Sequence, residues 1–233
     1  MDILTRDIIA AHIVPRLNPH LIATLNKALN EITSSTEWHK NYNHGKIESS
    51  MAKSGNMLYG CSNFSKLLDK FCKHGNLEGV KWALDNCTDA DVFTVHPGLV
   101  IASRNGHLTI VKYLVSQGAD VAADDNRAIK WASENGHLET VKYLVSQGAD
   151  VAADDNTAVR WASKNGHLET VKYLVSQGAN IAASNNMAFQ FASENGHLET
   201  VKYLVSQGAN IAANNKAFQF ASENGHLETV KYL

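Results

Sequence analysis

A four-residue motif, Asn-Gly-His-Leu, recurs at nearly constant spacing from residue 105 onward. Successive copies lie 30, 30, 30 and 29 residues apart, and their glycines are Gly106, Gly136, Gly166, Gly196 and Gly225. The segment 135–149 is identical to the segments 165–179 and 195–209. Such a period is typical of arrays in which each repeat packs only against its neighbours, so it limits the fold more strongly than any local pattern.

Each repeat predicts two short helices. In the copy around Gly136, residues 124–126 carry Asp and Asn side chains, which often cap the start of a helix. Ala128 and Ile129 begin a run at helical spacing, and Asn135 with Gly136 is a typical helix end. The second helix places four apolar residues on one face: Leu138, Val141, Leu144 and Val145. Helices this short are unstable alone, so the sequence predicts an all-α solenoid whose neighbouring copies bury each other's apolar faces.

The repeat unit resembles an ankyrin repeat. Residues 128–144 read Ala-Ile-Lys-Trp-Ala-Ser-Glu-Asn-Gly-His-Leu-Glu-Thr-Val-Lys-Tyr-Leu, and Gly-Ala-Asp-Val follows at 148–151. A degenerate copy, His-Gly-Asn-Leu at 74–77, extends the pattern toward the N-terminus. The resemblance covers about six repeats over residues 62–233, and it is closest to the short ankyrin repeats of giant DNA viruses.

This resemblance implies a non-enzymatic scaffold that binds a protein partner through the concave face of its repeats. For a viral chain, the implied partner is a host protein and the implied location is the host cytoplasm. The repeat departs from the family in length, since most copies have 30 residues rather than about 33. The family's Thr-Pro-Leu-His is replaced by Arg-Ala-Ile-Lys at 127–130. We therefore expect short loops where the family has a protruding hairpin.

Residues 1–40 differ from the repeats and predict a small helical segment, while residues 41–61 are polar and predict a linker. The apolar positions from Leu4 to Leu29 are similar to those of an F-box, a module that docks onto a cullin ubiquitin ligase. That similarity implies a substrate adaptor with ubiquitin-ligase components as partners. The alternative is a helical cap that covers the first repeat.

Charge and hydropathy exclude several classes of function. Lys and Arg number 21 against 23 Asp and Glu, for a net charge of -2, whereas nucleic-acid binding usually needs a basic excess. No apolar run approaches the length of about 18 residues that a membrane helix needs, and the N-terminus does not resemble a secretory signal. The sequence therefore predicts an intracellular, cytoplasmic protein that binds neither nucleic acid nor membrane.

The cysteines and histidines do not predict a metal or cofactor site. Cys61, Cys72 and Cys87 are odd in number and contain no Cys-x2-4-Cys pair, which favours reduced thiols over a disulfide framework or a zinc site. The motif histidines recur on equivalent helices about 8–10 Å apart, too far for one zinc ion. No phosphate-binding loop and no nucleophile–base signature occurs, so we predict no cofactor and no enzyme activity.

A large residue precedes Ala-Ser in each copy and predicts the partner-binding surface. These residues are Ile101, Trp131, Trp161, Phe191 and Phe220. Ile129 and Ala132 occupy core positions on either side of Trp131, so the ring projects from another side of the helix. A row of rings is typical of a binding surface. The alternative is that short loops let the rings join the core.

The residues near each ring vary between copies, whereas the second helices are nearly identical, so we expect partner specificity at the first helices. The predicted partner-binding residues are Arg127, Lys130, Trp131, Thr157, Arg160, Trp161, Met187, Gln190, Phe191, Lys216, Gln219 and Phe220. The same variation is expected from drift at exposed positions. The pairs Asp124-Asp125 and Asp154-Asp155 predict a solvated acidic edge, and a site for a basic partner is the alternative.

The array reaches Leu233 inside the second helix of its sixth copy, before the expected Val-Ser-Gln-Gly. Three interpretations follow from this pattern: a fragment, a truncated reading frame, or a last copy that frays. Together with the near-identity of the copies, they leave a third functional hypothesis, a decaying repeat gene product without a dedicated partner.

Overall fold

The computed structural model describes residues 61–86, 92–211 and 215–233. In these ranges every regular element is an α-helix and no strand occurs. The chain divides into two compact units, residues 1–98 and residues 99–233. The predicted N-terminal helices, their F-box-like pattern and the linker lie outside the described residues, except that Cys61 begins the first helix.

The described helices form six consecutive pairs, which confirms the all-α repeat architecture. The first pair is α1 (Cys61–His74) with α2 (Leu77–Asn86). The second is α3 (Val92–Arg104), which crosses the boundary between the units, with α4 (Leu108–Ser116). The other pairs are α5 (Ala123–Glu134) with α6 (Leu138–Ser146), α7 (Ala153–Lys164) with α8 (Leu168–Ser176), α9 (Ala183–Glu194) with α10 (Leu198–Ser206), and α11 (Asn215–Glu223) with α12 (Leu227–Tyr232).

Two helical layers build the unit 99–233. The first helices α5, α7, α9 and α11 pack against one another, and so do the second helices α4, α6, α8, α10 and α12. Ile129 and Ala132 of α5 meet Val141 and Leu144 of α6 in a core where all four are fully buried. Each large aliphatic side chain contributes about 1.5–3 kcal/mol by this burial. These four predicted core positions are therefore confirmed, whereas Leu138 and Val145, predicted on the same apolar face, are only half-buried.

The turn between paired helices explains why every copy keeps its glycine. Gly136 has a φ of 72°, a left-handed conformation that favours glycine. A Cβ added there would lie only 2.5 Å from Nδ1 of His167, which belongs to the next repeat. The imidazole thus packs directly on the glycine backbone. Its Nε2 lies 2.9 Å from the carbonyl oxygen of Glu134 and forms a hydrogen bond to it.

The start of α5 differs from the sequence prediction. Asp124, Asp125 and Asn126 all adopt left-handed φ angles between 52° and 62°, so α5 is kinked there. The Oδ1 atom of Asn126 accepts a hydrogen bond from the backbone N–H of Asp150 in the next repeat. No capping hydrogen bond from a side chain occurs at the N-terminus of α5. The predicted capping role for residues 124–126 was wrong, because the segment forms a tight turn bonded to its neighbour.

The connection between repeats is short. After α6, residues 147–152 turn without forming a strand, and Ala149 and Val151 bury their side chains there. The Oδ1 atom of Asp150 accepts a hydrogen bond from the backbone N–H of Ala152 and stabilises the turn. This compact turn occupies the place where we expected a shortened hairpin.

The pair α1 and α2 has its own small core. Leu68, Phe71 and Cys72 of α1 and Val80 of α2 are almost completely buried. Burial raises the pKa of the Cys72 thiol far above its usual range, and the nearby Asp69 carboxylate adds to this. A buried neutral thiol packs as a small apolar side chain.

Candidate partner-binding surface

Four aromatic residues on successive first helices lie at the surface of the unit 99–233. We call them the ring row: Trp131, Trp161, Phe191 and Phe220. Each stands one residue before a fully buried alanine, and each is itself half-buried. The rings are thus neither core residues nor fully exposed. Their remaining exposed area is available to a partner.

Trp131 and Trp161 touch each other edge to face. Their ring centroids lie 5.6 Å apart with an interplanar angle of 63°. This arrangement suits the negative face and positive edge of aromatic rings and stabilises such a pair by about 0.5–1.5 kcal/mol. The contact joins α5 to α7, so these two rings also support the stacking of the repeats.

Two rings of the row carry a cation supplied by the preceding repeat. The guanidinium of Arg104 lies 4.2 Å from the Trp131 centroid, and the ammonium of Lys164 lies 5.7 Å from the Phe191 centroid. Arg104 and Lys164 occupy equivalent positions, the last residue of α3 and of α7. Cations are attracted to ring faces at such distances.

Lys130, predicted to contact a partner, is used inside the protein. It is only 8% exposed, and its Nζ donates a hydrogen bond to Oδ2 of Asp154 at 2.9 Å. This hydrogen bond, followed by one from Thr157, holds the pKa of Asp154 below its usual value. The Lys130–Asp154 ion pair therefore links α5 to α7 rather than offering a charge to a partner.

Arg160 and Thr157 form part of the same polar network. Thr157 is 2% exposed, and its hydroxyl donates to the backbone oxygen of Asp154. The guanidinium of Arg160 donates to that same oxygen at 3.0 Å and approaches the sulfur of Met187 at 3.3 Å. Arg160 and Met187 are half-buried and keep part of their surface exposed to solvent, whereas Thr157 has almost no exposed surface.

An open cleft of about 500 Å³ lies against the ring row. Its lining residues are Asp124, Asp125, Arg127, Lys130, Trp131, Asp154 and Trp161. Both tryptophans border it, and Asp124, Asp125 and Asp154 line it from the left-handed turns in the first residues of α5 and α7. The cleft thus combines aromatic surface with charged side chains. Three carboxylates and two basic groups line it.

The other predicted residues lie along the same helices. Arg127 is exposed and sits 4.0 Å from Asp124. Gln190 is half-buried, and its amide donates to the backbone oxygen of Asn185. Lys216 and Gln219 are exposed on α11. Of the predicted set, Lys130 and Thr157 are buried and the remaining residues keep accessible surface.

The motif histidines serve packing between repeats. Nε2 of His137 bonds to the carbonyl oxygen of Arg104, and Nε2 of His197 bonds to that of Lys164, both at 2.9 Å. Burial lowers the pKa of both imidazoles, and the neighbouring histidines of the row lower them further. Within the described ranges no group of three or more His, Cys, Asp or Glu is placed to hold a metal ion.

The role of the residue after Ala-Ser was missed at the sequence level. Arg104, Glu134, Lys164 and Glu194 alternate in charge at this position, and Glu223 of the last copy is acidic again. The alternation is visible in the sequence, but the rings that Arg104 and Lys164 meet each lie 27 residues further along. Nothing in a one-dimensional pattern shows that contact.

A comparison with protein families identifies the repeats. The model described as "Ankyrin repeats (3 copies)" matches residues 67–155, 99–185, 130–215 and 160–233, which overlap and together span 67–233. The chain belongs to the ankyrin repeat family. Ankyrin repeats generally act as protein-interaction modules, and the repeats of this chain stack as an all-α solenoid.

Two further observations concern origin and membranes. No curated protein matches this ankyrin repeat chain, so a viral origin and a host-cell partner stay predictions. Among the described helices, none is both long and apolar enough to cross a membrane.

Proposed function

We propose that this ankyrin repeat chain is a non-enzymatic scaffold that binds a protein partner through the ring row. The observation that carries the proposal is the half-buried state of Trp131, Trp161, Phe191 and Phe220, together with the open cleft that the two tryptophans line. Large rings held by their neighbours lose little conformational freedom on binding, so they gain affinity at low entropic cost. The resemblance predicts that this face is the concave one.

The opposite layer supports the choice of surface. On the second helices, Lys142 pairs with Glu139 and Lys172 pairs with Glu169, each at 2.7 Å. These pairs recur identically and are exposed, so this layer has a uniform, solvated surface. The first helices, in contrast, differ between copies at the residues that border each ring, as a surface adapted to a particular partner does.

A selection from a displayed random peptide library tests the proposal. Peptides are selected on the full chain and then measured on Trp131→Ala/Trp161→Ala and on the control Lys142→Ala/Lys172→Ala. We expect the selected peptides to lose about tenfold or more in affinity on the ring variant, since anchor residues often contribute 2 kcal/mol or more. The control should bind as the original chain does.

Stability is measured in parallel by thermal unfolding, because the two tryptophans also contact each other. Should the alanine variant unfold, Trp131→Leu/Trp161→Leu keeps apolar volume at both positions while removing the ring faces. Equal binding of all selected peptides by the original chain and a folded ring variant would contradict the proposal.

The adaptor hypothesis depends on residues 1–40 and stays a prediction from the sequence. Its test is the capture of cullin-ligase components by the full chain and their loss when Ile8, Ile9 and Leu17 are replaced by polar residues.

A further inference from the structure

Two rings of the ring row lack the cation that the other two carry. Arg104 lies over Trp131 and Lys164 lies over Phe191. Along the described chain, no Lys or Arg lies over the ring of Trp161 or Phe220. At the equivalent positions of the preceding repeats stand Glu134 and Glu194, which carry the opposite charge.

We propose that Trp161 and Phe220 each bind a Lys or Arg side chain from a basic segment of the protein partner. Glu134 and Glu194 supply the countercharge beside each ring. The proposal rests on the proposed function and adds the chemistry of the partner. In the repeats of Trp131 and Phe191 the chain itself supplies the cation, and in the alternating repeats the partner does.

The side chain of Glu134 is half-buried, and the described residues give its enclosed Oε2 no hydrogen-bond partner. The negative charge of this carboxylate is thus unmatched, and a guanidinium or ammonium group that reaches its accessible part forms a charge-assisted hydrogen bond. The same cation gains from the face of Trp161, because a ring face attracts a cation more strongly when water is excluded.

The cleft beside Trp161 adds negative charge around this position. Asp124, Asp125 and Asp154 line it together with both tryptophans. Arg127 lies 4.0 Å from Asp124, and Lys130 is paired with Asp154, so each basic lining residue is already matched. Asp125 remains without a cation among the described residues. A basic segment therefore meets complementary charge along this edge.

The two positions also predict the spacing of basic residues in the partner. Trp161 and Phe220 belong to α7 and α11, which are separated by α9. Neighbouring packed helices lie about 8–10 Å apart, which places the two helices about 16–20 Å apart. An extended chain covers this distance with about five or six residues. The partner segment is then an extended one with two basic residues at that separation.

The experiment uses the ring-dependent peptides, which are the selected peptides that lose affinity on Trp131→Ala/Trp161→Ala. Their binding is measured on two double variants that make the same change of charge. Glu134→Lys/Glu194→Lys places a cation of the chain's own beside Trp161 and Phe220, as Lys164 does beside Phe191. Glu139→Lys/Glu199→Lys makes the same change of charge on exposed positions of the second helices. Affinity is measured by fluorescence anisotropy at low and high salt, and folding is checked by thermal unfolding.

We expect the ring-dependent peptides to be enriched in Lys and Arg. We also expect Glu134→Lys/Glu194→Lys to bind them about tenfold or more weakly, with the control losing about threefold or less, because exposed distant charges are screened by salt. Lys164→Glu should strengthen binding about threefold, since it frees the face of Phe191 and adds a carboxylate.

Two outcomes would overturn this proposal and leave the proposed function standing. One is a set of ring-dependent peptides that carries no excess of basic residues. The other is an equal loss of affinity in the two charge-matched variants. If instead the folded ring variant binds every selected peptide as tightly as the original chain, the proposed function fails and this proposal fails with it.

Discussion

At the scale of single residues, the repeated Asn-Gly-His-Leu motif provides a contact between a glycine of one repeat and a histidine of the next. From the sequence, Gly136 was expected to be a helix end, and its left-handed φ confirms this. Its second role, as the surface on which His167 packs, could not be predicted, because the two residues lie 31 positions apart and every copy has the same motif. Sequence identity does not tell which histidine meets which glycine.

Replacing this glycine tests the contact. Gly136→Ala should destabilise the fold by about 2–4 kcal/mol, from the left-handed φ and from the clash of a Cβ with the imidazole. Gly148→Ala is the matched control, because Gly148 has a φ of 97° but no atom within 4 Å of an added Cβ. It should lose only about 1–2 kcal/mol. Urea unfolding measures both values, and equal losses would show that the imidazole contact contributes nothing.

At the scale of elements, the helices themselves follow from the sequence, but their starts do not. The apolar spacing predicts where α5 and α6 bury their faces, and Ile129 and Leu144 are indeed fully buried. The turn at the start of α5 was expected to cap the helix, whereas Asn126 bonds to the next repeat. Asp and Asn tolerate both a capping and a left-handed conformation, and packing between repeats decides which one forms.

The equivalent turn at the start of α7 tests this interpretation. Asn156 is left-handed, with φ 60°, and its Oδ1 accepts a hydrogen bond from the backbone N–H of Asn180 at 2.7 Å. Asn156→Gly removes the hydrogen bond but keeps a residue that tolerates a left-handed φ, and it should cost about 1–2 kcal/mol. Asn156→Ala also places a Cβ in a left-handed conformation and should cost about 1–2 kcal/mol more. Denaturant unfolding of the two variants compares them, and an Asn156→Ala variant as stable as Asn156→Gly would contradict a strained left-handed turn.

At the scale of the whole molecule, we expect His137 and His197 to make stability depend on pH. Burial lowers the pKa of His137 and His197 below the ordinary value of 6.5, and the adjacent histidines lower it further. Protonation therefore favours the unfolded chain. Their contribution to stability is full above pH 6.5 and is lost as the pH falls through the lowered pKa values of the folded state.

We expect the free energy of unfolding to decrease as the pH falls from 7.5 to 5. A His137→Gln/His197→Gln variant should show a flatter dependence over this range, since glutamine does not titrate there. The lowered pKa of Asp154 acts only in more acidic solution, because a carboxylate with a lowered pKa loses its contribution below its ordinary value of 3.8. Urea unfolding at several pH values measures this, and identical slopes for the two proteins would rule out the histidines as the cause.

The sequence predicted the array as a whole better than it predicted the binding surface. Periodicity alone indicated paired helices and a shared core, because each copy repeats the same burial pattern. The surface was predicted as one face, yet Lys130 and Thr157 of that face are buried in bonds to Asp154. A polar residue that varies between copies can contact either a neighbouring repeat or a partner. Only the structure of the stacked repeats shows which of these two contacts it makes.

The identity of segments 135–149, 165–179 and 195–209 also bears on how the chain finds its correct register during folding. A second helix that docks one copy out of place makes the same contacts as the correct one. Looping out the skipped repeat of about 30 residues costs only about 3 kcal/mol in closure entropy. The variable first helices then distinguish one repeat from the next. The Lys130–Asp154 ion pair forms at only one of the described contacts between repeats, so it favours the docking of α7 on α5 over a docking that is one copy out of place.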